Sequence, residues 1–326
     1  MNEYQGVMIF AEQREGEIHP VSFEILGKAR EIADSLGSNV SAVLLNNNHT
    51  REVVKLIYCG ADKVYLYEHP SLHEFDIINF KHNIVQLIRE LKPAIFLLGA
   101  THLGRSLGPR VAAALGTGLT ADCIGLELDE TGSLIQIRPA FTGNISAEIK
   151  TRTRPQMATV RYKVMTARKP DEKRIGEIIH RDAEIIPNLL SILKKEKGSQ
   201  KSITEAKVIV SGGKGLKKAK DFEMLAELAE LLNGVVGSSR PLVDDGWINK
   251  EHQVGFSGNT VKPKIYFACG ISGSPQHLAG MRNSDIIVTI NTDPSAPIFQ
   301  ISDYGIIDDL YEVVPKLIRV IKKECR

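Results

Sequence analysis

The chain has 326 residues, of which 43% are hydrophobic and 25% charged, and a formal net charge of +2. This composition is typical of a folded protein of about two domains, and the small net charge gives no argument for nucleic-acid binding. The apolar runs are far too short to span a membrane, and the first residues lack the regions of a signal peptide, so we expect a cytoplasmic protein.

Apolar runs and helical periodicities alternate through the first hundred residues. We predict strands at 7–11, 40–45, 64–67 and 94–100, and helices at 20–36, 50–58 and 77–91. The run from Ala94 to Ala100 is apolar throughout, which is typical of a central strand in a parallel sheet. The strict alternation therefore predicts βαβ units and an α/β domain similar to nucleotide-binding domains.

The middle of the chain has a different pattern. The turn Thr101–Ser106 leads from a strand into a helix, a position that could hold a nucleotide. Beyond it, short strands are predicted at 125–128, 134–138, 147–150 and 157–160, and we expect them to extend the sheet as antiparallel strands. Basic side chains in this region indicate either a solvated face or a surface for a partner or for phosphates: Arg138, Lys150, Arg152, Arg154, Arg161 and Lys163.

A charged stretch with glycine and serine, 194–202, has no apolar periodicity and reads as a linker. We therefore predict an N-terminal α/β domain at 1–195, a linker at 196–201 and a second domain at 202–326. In the second domain, apolar runs at 208–210, 265–268 and 286–290 each lead into a turn rich in glycine or polar residues, and a helix is predicted at 221–232. This layout predicts a doubly wound parallel sheet, and such sheets bind ligands at their carboxyl edge.

The turns of the second domain carry a resemblance to a known family. Gly270-Ile-Ser-Gly-Ser-Pro-Gln-His-Leu-Ala-Gly-Met281 is similar to the flavin-binding domain of the electron-transfer flavoprotein α subunit. The N-terminal half resembles the same family more loosely, at residues 104–110, 120–123 and 154–161. The resemblance thus spans nearly the whole chain.

The resemblance implies an electron carrier that has no substrate chemistry of its own. It implies that the second domain binds FAD. It implies a heterodimer in which the N-terminal domain forms the base that binds a β subunit. It also implies transfer of single electrons from dehydrogenases of the acyl-CoA dehydrogenase type to an acceptor. The positions that match the cofactor-binding pattern are Lys214, Gly215, Ser239, Arg240, Val254, Gly255, Phe256, Ser257, Gly270, Ser272, Gly273, Ser274, Pro275, Gln276, His277, Asn291, Asp309 and Leu310.

The resemblance also implies roles for several of these residues. Arg240 would lie over the flavin ring, where a guanidinium stabilises negative charge on the reduced ring. Ser257 would bond the N5 region, and His277 would reach the C2 carbonyl with a hydrogen bond or a charge. Asn291, with Asp309 and Leu310, would serve the adenosine half. Two positions depart from the family pattern, because Lys214 stands where an arginine is usual and Phe256 where a polar residue is usual.

Two alternatives stay open. The Phe256-Ser257 form looks more like relatives in anaerobes, some of which belong to NADH-dependent electron-bifurcating complexes. The more distant alternative is a flavin-free α/β protein that binds an adenine nucleotide. No hydrolytic triad or metal-binding pattern stands out, and the four scattered cysteines predict buried or idle thiols in a reducing compartment.

Overall fold

The computed structural model describes residues 3–14, 16–47, 52–140, 145–187 and 202–324. The chain divides into two compact units, Met1–Ile192 and Leu193–Arg326. The predicted linker at 196–201 and Cys325 lie outside the described residues. Each unit combines helices with a parallel sheet, which confirms the predicted fold class.

Strands and helices alternate in the first unit, as the sequence predicts. Its strands are β1 (Val7–Phe10), β2 (Gln13–Arg14), β3 (Glu17–Ile18), β4 (Val40–Asn46), β5 (Lys63–Glu68), β6 (Ile95–Gly99), β7 (Leu119–Cys123), β8 (Gly125–Leu128), β9 (Leu134–Ala140), β10 (Ile145–Lys150), β11 (Gln156–Val160) and β12 (Glu177–Arg181). Its helices are α1 (Pro20–Ser35), α2 (Val53–Tyr58), α3 (Ile77–Leu91) and α4 (His102–Leu115), with a 3-10 turn at Pro70–Leu72. Local caps fix the helix starts: the Asp76 carboxylate accepts the Ile78 amide at the start of α3, and Thr101 accepts the Gly104 amide in α4.

Among the described residues, seven strands of the first unit form one parallel sheet in the order β12-β5-β4-β1-β6-β11-β7. Helix α1 packs on one face, while α3 and α4 pack on the other. Because both faces are covered, the central strand β6 is buried along its whole length.

Two predictions for the middle of the chain are wrong. The strand at 157–160 is not antiparallel, because β11 lies parallel between β6 and β7 in the main sheet. The other three strands do not extend that sheet; β8, β9 and β10 form a separate antiparallel sheet. The sequence of β11 did not indicate that it lies inside the main sheet, because it contains polar residues. These residues are buried with their hydrogen bonds satisfied: Gln156 accepts the Leu134 amide at 2.9 Å, and Thr159 accepts the Asp122 amide at 3.0 Å.

The second unit begins a new α/β alternation. Its strands are β13 (Val208–Gly212), β14 (Val235–Ser238), β15 (Ile265–Cys269), β16 (Ile286–Ile290) and β17 (Tyr304–Ile306). Its helices are α5 (Phe222–Leu231), α6 (Arg240–Asp244), α7 (Pro275–Met281) and α8 (Leu310–Glu324), with 3-10 turns at Ala219–Asp221, Lys250–His252 and Pro297–Ile301. None of the helices in the described parts of the chain is long and apolar enough to cross a membrane.

The five strands just named are all parallel, in the order β14-β13-β15-β16-β17. Helices α5 and α8 cover one face and α7 the other, so the sheet is doubly wound. After β13 the chain forms β14 on one side of it and then crosses back, so that β15 pairs with the other side of β13. In such sheets the crevice at the carboxyl ends of these two strands is where ligands bind.

Candidate functional site

A cavity of about 440 Å³ lies at the carboxyl edge of the second sheet. Its size is that of a small-molecule site. Its walls are the loops after β13, β15 and β16, the end of β14 and the start of α8. The lining residues are Lys214, Gly215, Lys217, Ser239, Pro241, Gly270, Ile271, Ser272, Gly273, Ser274, His277, Ile290, Asn291, Thr292, Asp293, Asp308, Asp309 and Leu310.

Two glycine turns meet backbone to backbone in the floor of this cavity. The Gly215 amide donates to the Gly270 carbonyl at 3.0 Å. A Cβ on Gly215 would lie 2.6 Å from the Gly270 Cα, and a Cβ on Gly270 would lie 2.7 Å from the Gly215 Cα. Gly270 also has a φ of +63°, so both space and backbone conformation require glycine there. The floor is therefore bare backbone, which lets a ligand come close.

The turn after β15 is held by its neighbours. Gly273 has a φ of +88°, and the Ile298 amide donates to the Ser272 carbonyl at 3.1 Å. The Asn291 side-chain amide donates to the Ile271 carbonyl at 2.9 Å, which fastens the loop after β16 to the same turn. Ser274 is the cap residue of α7. These bonds hold the shape of the turn.

Charged side chains of both signs line the cavity. Lys214 and Lys217 approach from the loop after β13, and Asp308 and Asp309 from the chain before α8. The Asp309 carboxylate accepts the Tyr311 amide at 3.0 Å, so part of its role is to start α8. The lysines can attract phosphates, whereas the aspartates suit hydroxyl groups that donate hydrogen bonds.

Lys217 is a lining residue that sequence reasoning missed. Its backbone amide donates to the Tyr311 hydroxyl at 2.7 Å, and its ammonium lies 4.6 Å from the centre of the same ring. The Tyr311 hydroxyl in turn donates to the Asp221 carboxylate. The sequence does show a lysine at position 217, three residues after Lys214. Its place in the cavity wall could not be predicted, because Tyr311, which orients Lys217, lies far along the chain. The other lining residues that were missed are Pro241, Ile271, Ile290, Thr292, Asp293 and Asp308.

Arg240 lies at the start of α6, between two lining residues but not itself in the wall. Its side chain is 65% exposed and pairs with Asp244, with the two atoms 3.1 Å apart. An exposed ion pair of this kind contributes little free energy, so it is a weak restraint on the guanidinium.

The loop 254–257 does not line the cavity, although its residues match the cofactor pattern. Gly255 has a φ of +145°, and the Phe256 amide donates to the Gln276 carbonyl at 2.7 Å. This bond places the loop against α7, next to His277. Val254 is buried, whereas Phe256 is 54% exposed, and the Ser257 hydroxyl accepts from Gln253 at 3.0 Å. Pro275 and Gln276, on the exposed first turn of α7, are likewise outside the wall.

His277 is the buried imidazole of the site. It is 5% exposed, and its Nε2 lies 3.0 Å from the Tyr266 hydroxyl. Its Nδ1 is buried and makes no hydrogen bond within the described structure. Burial lowers the pKa of His277 to about 4, although the Val254 carbonyl acts in the opposite direction. At neutral pH the ring is uncharged, so it can supply a hydrogen bond but not a positive charge.

The corresponding edge of the first sheet is built differently. The Gly104 position allows no side chain, because a Cβ there would lie 1.8 Å from the Gly99 carbonyl oxygen. Glu12 is fully buried at this edge, where it accepts from Thr101 and pairs with Arg14 at 3.0 Å. A buried carboxylate at this position disfavours an anionic phosphate, which argues against a nucleotide at the turn Thr101–Ser106.

The basic region of the first unit is partly buried. Lys150 pairs with Asp129 at 2.8 Å, and Arg105, which is not one of the six residues of this region, pairs with Asp122 at 3.0 Å. Burial lowers the pKa of Arg161, with Asp122 acting against the change. The ion pair of Lys150 accounts for some of the charge. The region can still be either a solvated face or a surface for a partner or for phosphates.

Three of the cysteines are free and buried, as predicted: Cys59, Cys123 and Cys269. Cys269 ends β15 just before the glycine turn, and burial raises its pKa to about 12. Its thiol therefore stays protonated and unreactive at neutral pH.

Comparison with known proteins adds an independent finding. A model of the electron transfer flavoprotein domain matches residues 7–185, and a model of the electron transfer flavoprotein FAD-binding domain matches residues 202–282. The chain is 50% identical to the electron transfer flavoprotein subunit alpha of Thermoanaerobacterium thermosaccharolyticum, with 99% of both chains covered. It is 45% identical to the subunit of the same description from Megasphaera elsdenii, over 99% of this chain and 98% of that one. It is also 45% identical to the lactate dehydrogenase (NAD(+),ferredoxin) subunit LctC of Acetobacterium woodii, over 98% of this chain and 77% of that one.

Proposed function

Because this chain belongs to the electron transfer flavoprotein α-subunit family, we propose that it binds one FAD in its second unit and carries single electrons as a heterodimer with a β subunit. The observation that carries the proposal is the cavity at the crossover between β13 and β15. The match to the FAD-binding domain covers the two glycine turns that form its floor.

The residues present fit a dinucleotide of this kind. The bare backbone of Gly215 and Gly270 leaves room for a diphosphate, and Lys214 and Lys217 supply positive charge beside it. Lysine at position 214 keeps the charge of the usual arginine but not its planar fork, so it acts as a point charge. The carboxylate of Asp309 and the amide of Asn291 would serve the adenosine half.

The cofactor supplies the redox chemistry, since the flavin ring accepts and releases single electrons. The chain contributes electrostatics around the ring. Arg240 would stabilise negative charge on the reduced ring, and its weak surface ion pair leaves it available for that purpose. His277, which lines the cavity, would donate a hydrogen bond to the ring as a neutral imidazole. Ser257 would bond the N5 region of the ring.

We further propose the partners. The first unit would be the base that binds the β subunit. A dehydrogenase of the acyl-CoA dehydrogenase type would deliver the electrons. Such a carrier has no substrate site of its own, and its specificity depends on which proteins dock to the complex.

A second candidate function is membership of an NADH-dependent electron-bifurcating complex. It is favoured by the 45% identity to a subunit whose name couples NAD(+) and ferredoxin, and by the Phe256-Ser257 sequence, which resembles relatives in anaerobes. In such a complex the β subunit would hold a second flavin.

The stoichiometry of bound cofactors tests both candidates. The chain is co-expressed with its β subunit, and the purified complex is analysed for FAD and AMP. One FAD and one AMP per heterodimer would support the simple carrier, whereas two flavins and no AMP would support bifurcation. A colourless complex that holds only an adenine nucleotide would contradict both and favour a flavin-free nucleotide-binding protein.

A further inference from the structure

A tyrosine outside the cavity wall holds the loop after β13 in place. Tyr311 lies in the first turn of α8, next to the lining residue Leu310, and is not itself part of the wall. Its hydroxyl accepts the backbone amide of Lys217 at 2.7 Å and donates to the Asp221 carboxylate. Lys217 lines the cavity, whereas Asp221 does not. Tyr311 therefore connects the start of α8 to this loop at a residue of the cavity wall.

The directions of these hydrogen bonds follow from the atoms that make them. A backbone amide can only donate, and an ionised carboxylate can only accept. The single hydrogen of the Tyr311 hydroxyl therefore goes to Asp221, and the hydroxyl oxygen accepts from Lys217. The Asp221 carboxylate also accepts the Lys218 amide at 3.1 Å. The amides of Lys217 and Lys218 are thus taken up within the chain, so this part of the loop can bind an anion only through its side chains.

The same tyrosine also contacts the charged end of Lys217. The ammonium lies 4.6 Å from the centre of the Tyr311 ring, a distance at which a ring face attracts a cation. Among the residues that the structure describes, Lys217 has no carboxylate partner within 4.0 Å. Its charge is therefore held beside the cavity without being neutralised. A lysine that is already restrained loses less side-chain freedom when it binds a ligand, which favours binding.

We infer that Tyr311 is a positioning residue for Lys217: its hydroxyl fixes the lysine backbone, its ring holds the ammonium, and Lys217 so restrained binds a phosphate of the ligand. The ligand class is a compound with a diphosphate, because the charge stands beside a floor of bare glycine backbone that leaves room for one. That the diphosphate belongs to FAD rests on the proposed function.

Calorimetric titration of the flavin-free heterodimer with FAD and with ADP tests the inference. Lys217→Gln should weaken binding of both by about 10- to 100-fold, the range for a lost hydrogen bond to a charged group. Tyr311→Leu, which removes the hydroxyl and the ring but keeps an apolar side chain, should weaken binding by about 3- to 10-fold. Lys218→Gln is the matched control, because this neighbouring lysine is exposed but does not line the cavity, and it should leave both affinities unchanged.

Two further readouts separate positioning from a general loss of structure. In a Lys217→Gln background, Tyr311→Leu should cause no further loss of affinity, because Tyr311 acts only through Lys217. Phosphorus NMR of the loaded heterodimer reports directly on the diphosphate of bound FAD. Its signals should shift in Lys217→Gln and in Tyr311→Leu, and they should stay in place in Lys218→Gln.

Three results would overturn the inference: an unchanged affinity in Lys217→Gln, an unchanged affinity in Tyr311→Leu, or an equal loss from Tyr311→Leu in both backgrounds. If Tyr311→Leu does not fold, Tyr311→Phe, which keeps the ring and removes the hydroxyl, takes its place in the same comparison. The β subunit is the same in every sample, so differences in ADP affinity come from this chain. A chain that holds no flavin but binds ADP through Lys217 and Tyr311 would contradict the proposed function while supporting the inference.

Discussion

At the scale of single residues, the site combines two groups of opposite character. Arg240 is exposed, charged and paired with Asp244, whereas His277 is buried, neutral and in contact with the Tyr266 hydroxyl. Motifs in the sequence predict Arg240 and His277 as contacts of the cofactor. The sequence could not predict Tyr266 or Lys217, because their contacts come from chain segments that meet only in the folded unit.

We expect Arg240→Gln to lower the potential of the first electron step by about 60–130 mV, since a hydrogen bond to a charged group contributes about 1.5–3 kcal/mol and a tenfold change is ~59 mV. The measurement is spectroelectrochemistry of the loaded heterodimer. Asp244→Asn is the matched control, because it breaks the same ion pair but keeps the guanidinium. An equal fall in both variants would show that the ion pair, and not a contact with the ring, sets the potential.

We expect His277 to make the stability of the flavin-free chain depend on pH. Its pKa is about 4 in the folded chain, against about 6.5 in an unfolded chain. Between these two pKa values the unfolded state binds more protons than the folded state. The unfolding free energy is therefore highest above about pH 6.5, and it decreases as the pH falls toward 4. The loss by pH 4.5 should be on the order of 2–3 kcal/mol.

This expectation is measured as the difference in unfolding free energy between pH 7 and pH 4.5, by urea denaturation. His277→Gln should show a smaller difference than the unmodified chain. His73→Gln, which removes a half-exposed imidazole in the first unit, should behave like the unmodified chain. If His277→Gln retains the full pH dependence, His277 is not the group responsible.

At the scale of elements, the alternation of apolar runs and helical periods was enough to predict the central strands and most helices. The strand β11 was predicted, but its antiparallel pairing was wrong, because the buried and hydrogen-bonded Gln156 and Thr159 give it the polar pattern of a half-exposed strand. The prediction omitted β12, an edge strand that pairs with β5 and has no apolar run of comparable length. Strand order and pairing depend on contacts between distant segments, which periodicity does not contain.

The contact between the two glycine turns is an element-scale feature that a substitution can test. Gly270→Ala would strain a backbone at φ +63° and place a Cβ 2.7 Å from the Gly215 Cα. Gly246→Ala is the matched control, because Gly246 has a φ of +73° but a Cβ added there would have no neighbouring atom within 4 Å. Both changes carry a backbone strain of about 1–2 kcal/mol, yet only Gly270→Ala should lose bound flavin. Equal flavin content in the two variants, measured by absorbance per chain, would show that the floor of the cavity does not contact the cofactor.

At the scale of the whole molecule, the two α/β units differ in what their sheet edges can bind. The first unit places the buried carboxylate of Glu12 at its edge, whereas the second unit leaves an open cavity lined by two lysines, three aspartates and bare glycine backbone. The sequence predicted two domains and the domain that would hold the cofactor, because the glycine turns cluster after position 208. It did not predict the buried carboxylate of the first unit, since Glu12 follows its strand as an ordinary charged residue would.

The central claim is that the second unit holds the FAD, and the most direct measurement is the flavin content of two fragments, each co-expressed with the β subunit. Residues 202–326 should co-purify with flavin and show the absorption band near about 450 nm that is typical of an oxidised flavin. Residues 1–195 should add no flavin to the amount that the β subunit holds when it is expressed alone, and the full chain should show the band as a positive control. Flavin retained by residues 1–195, with none on residues 202–326, would contradict the account.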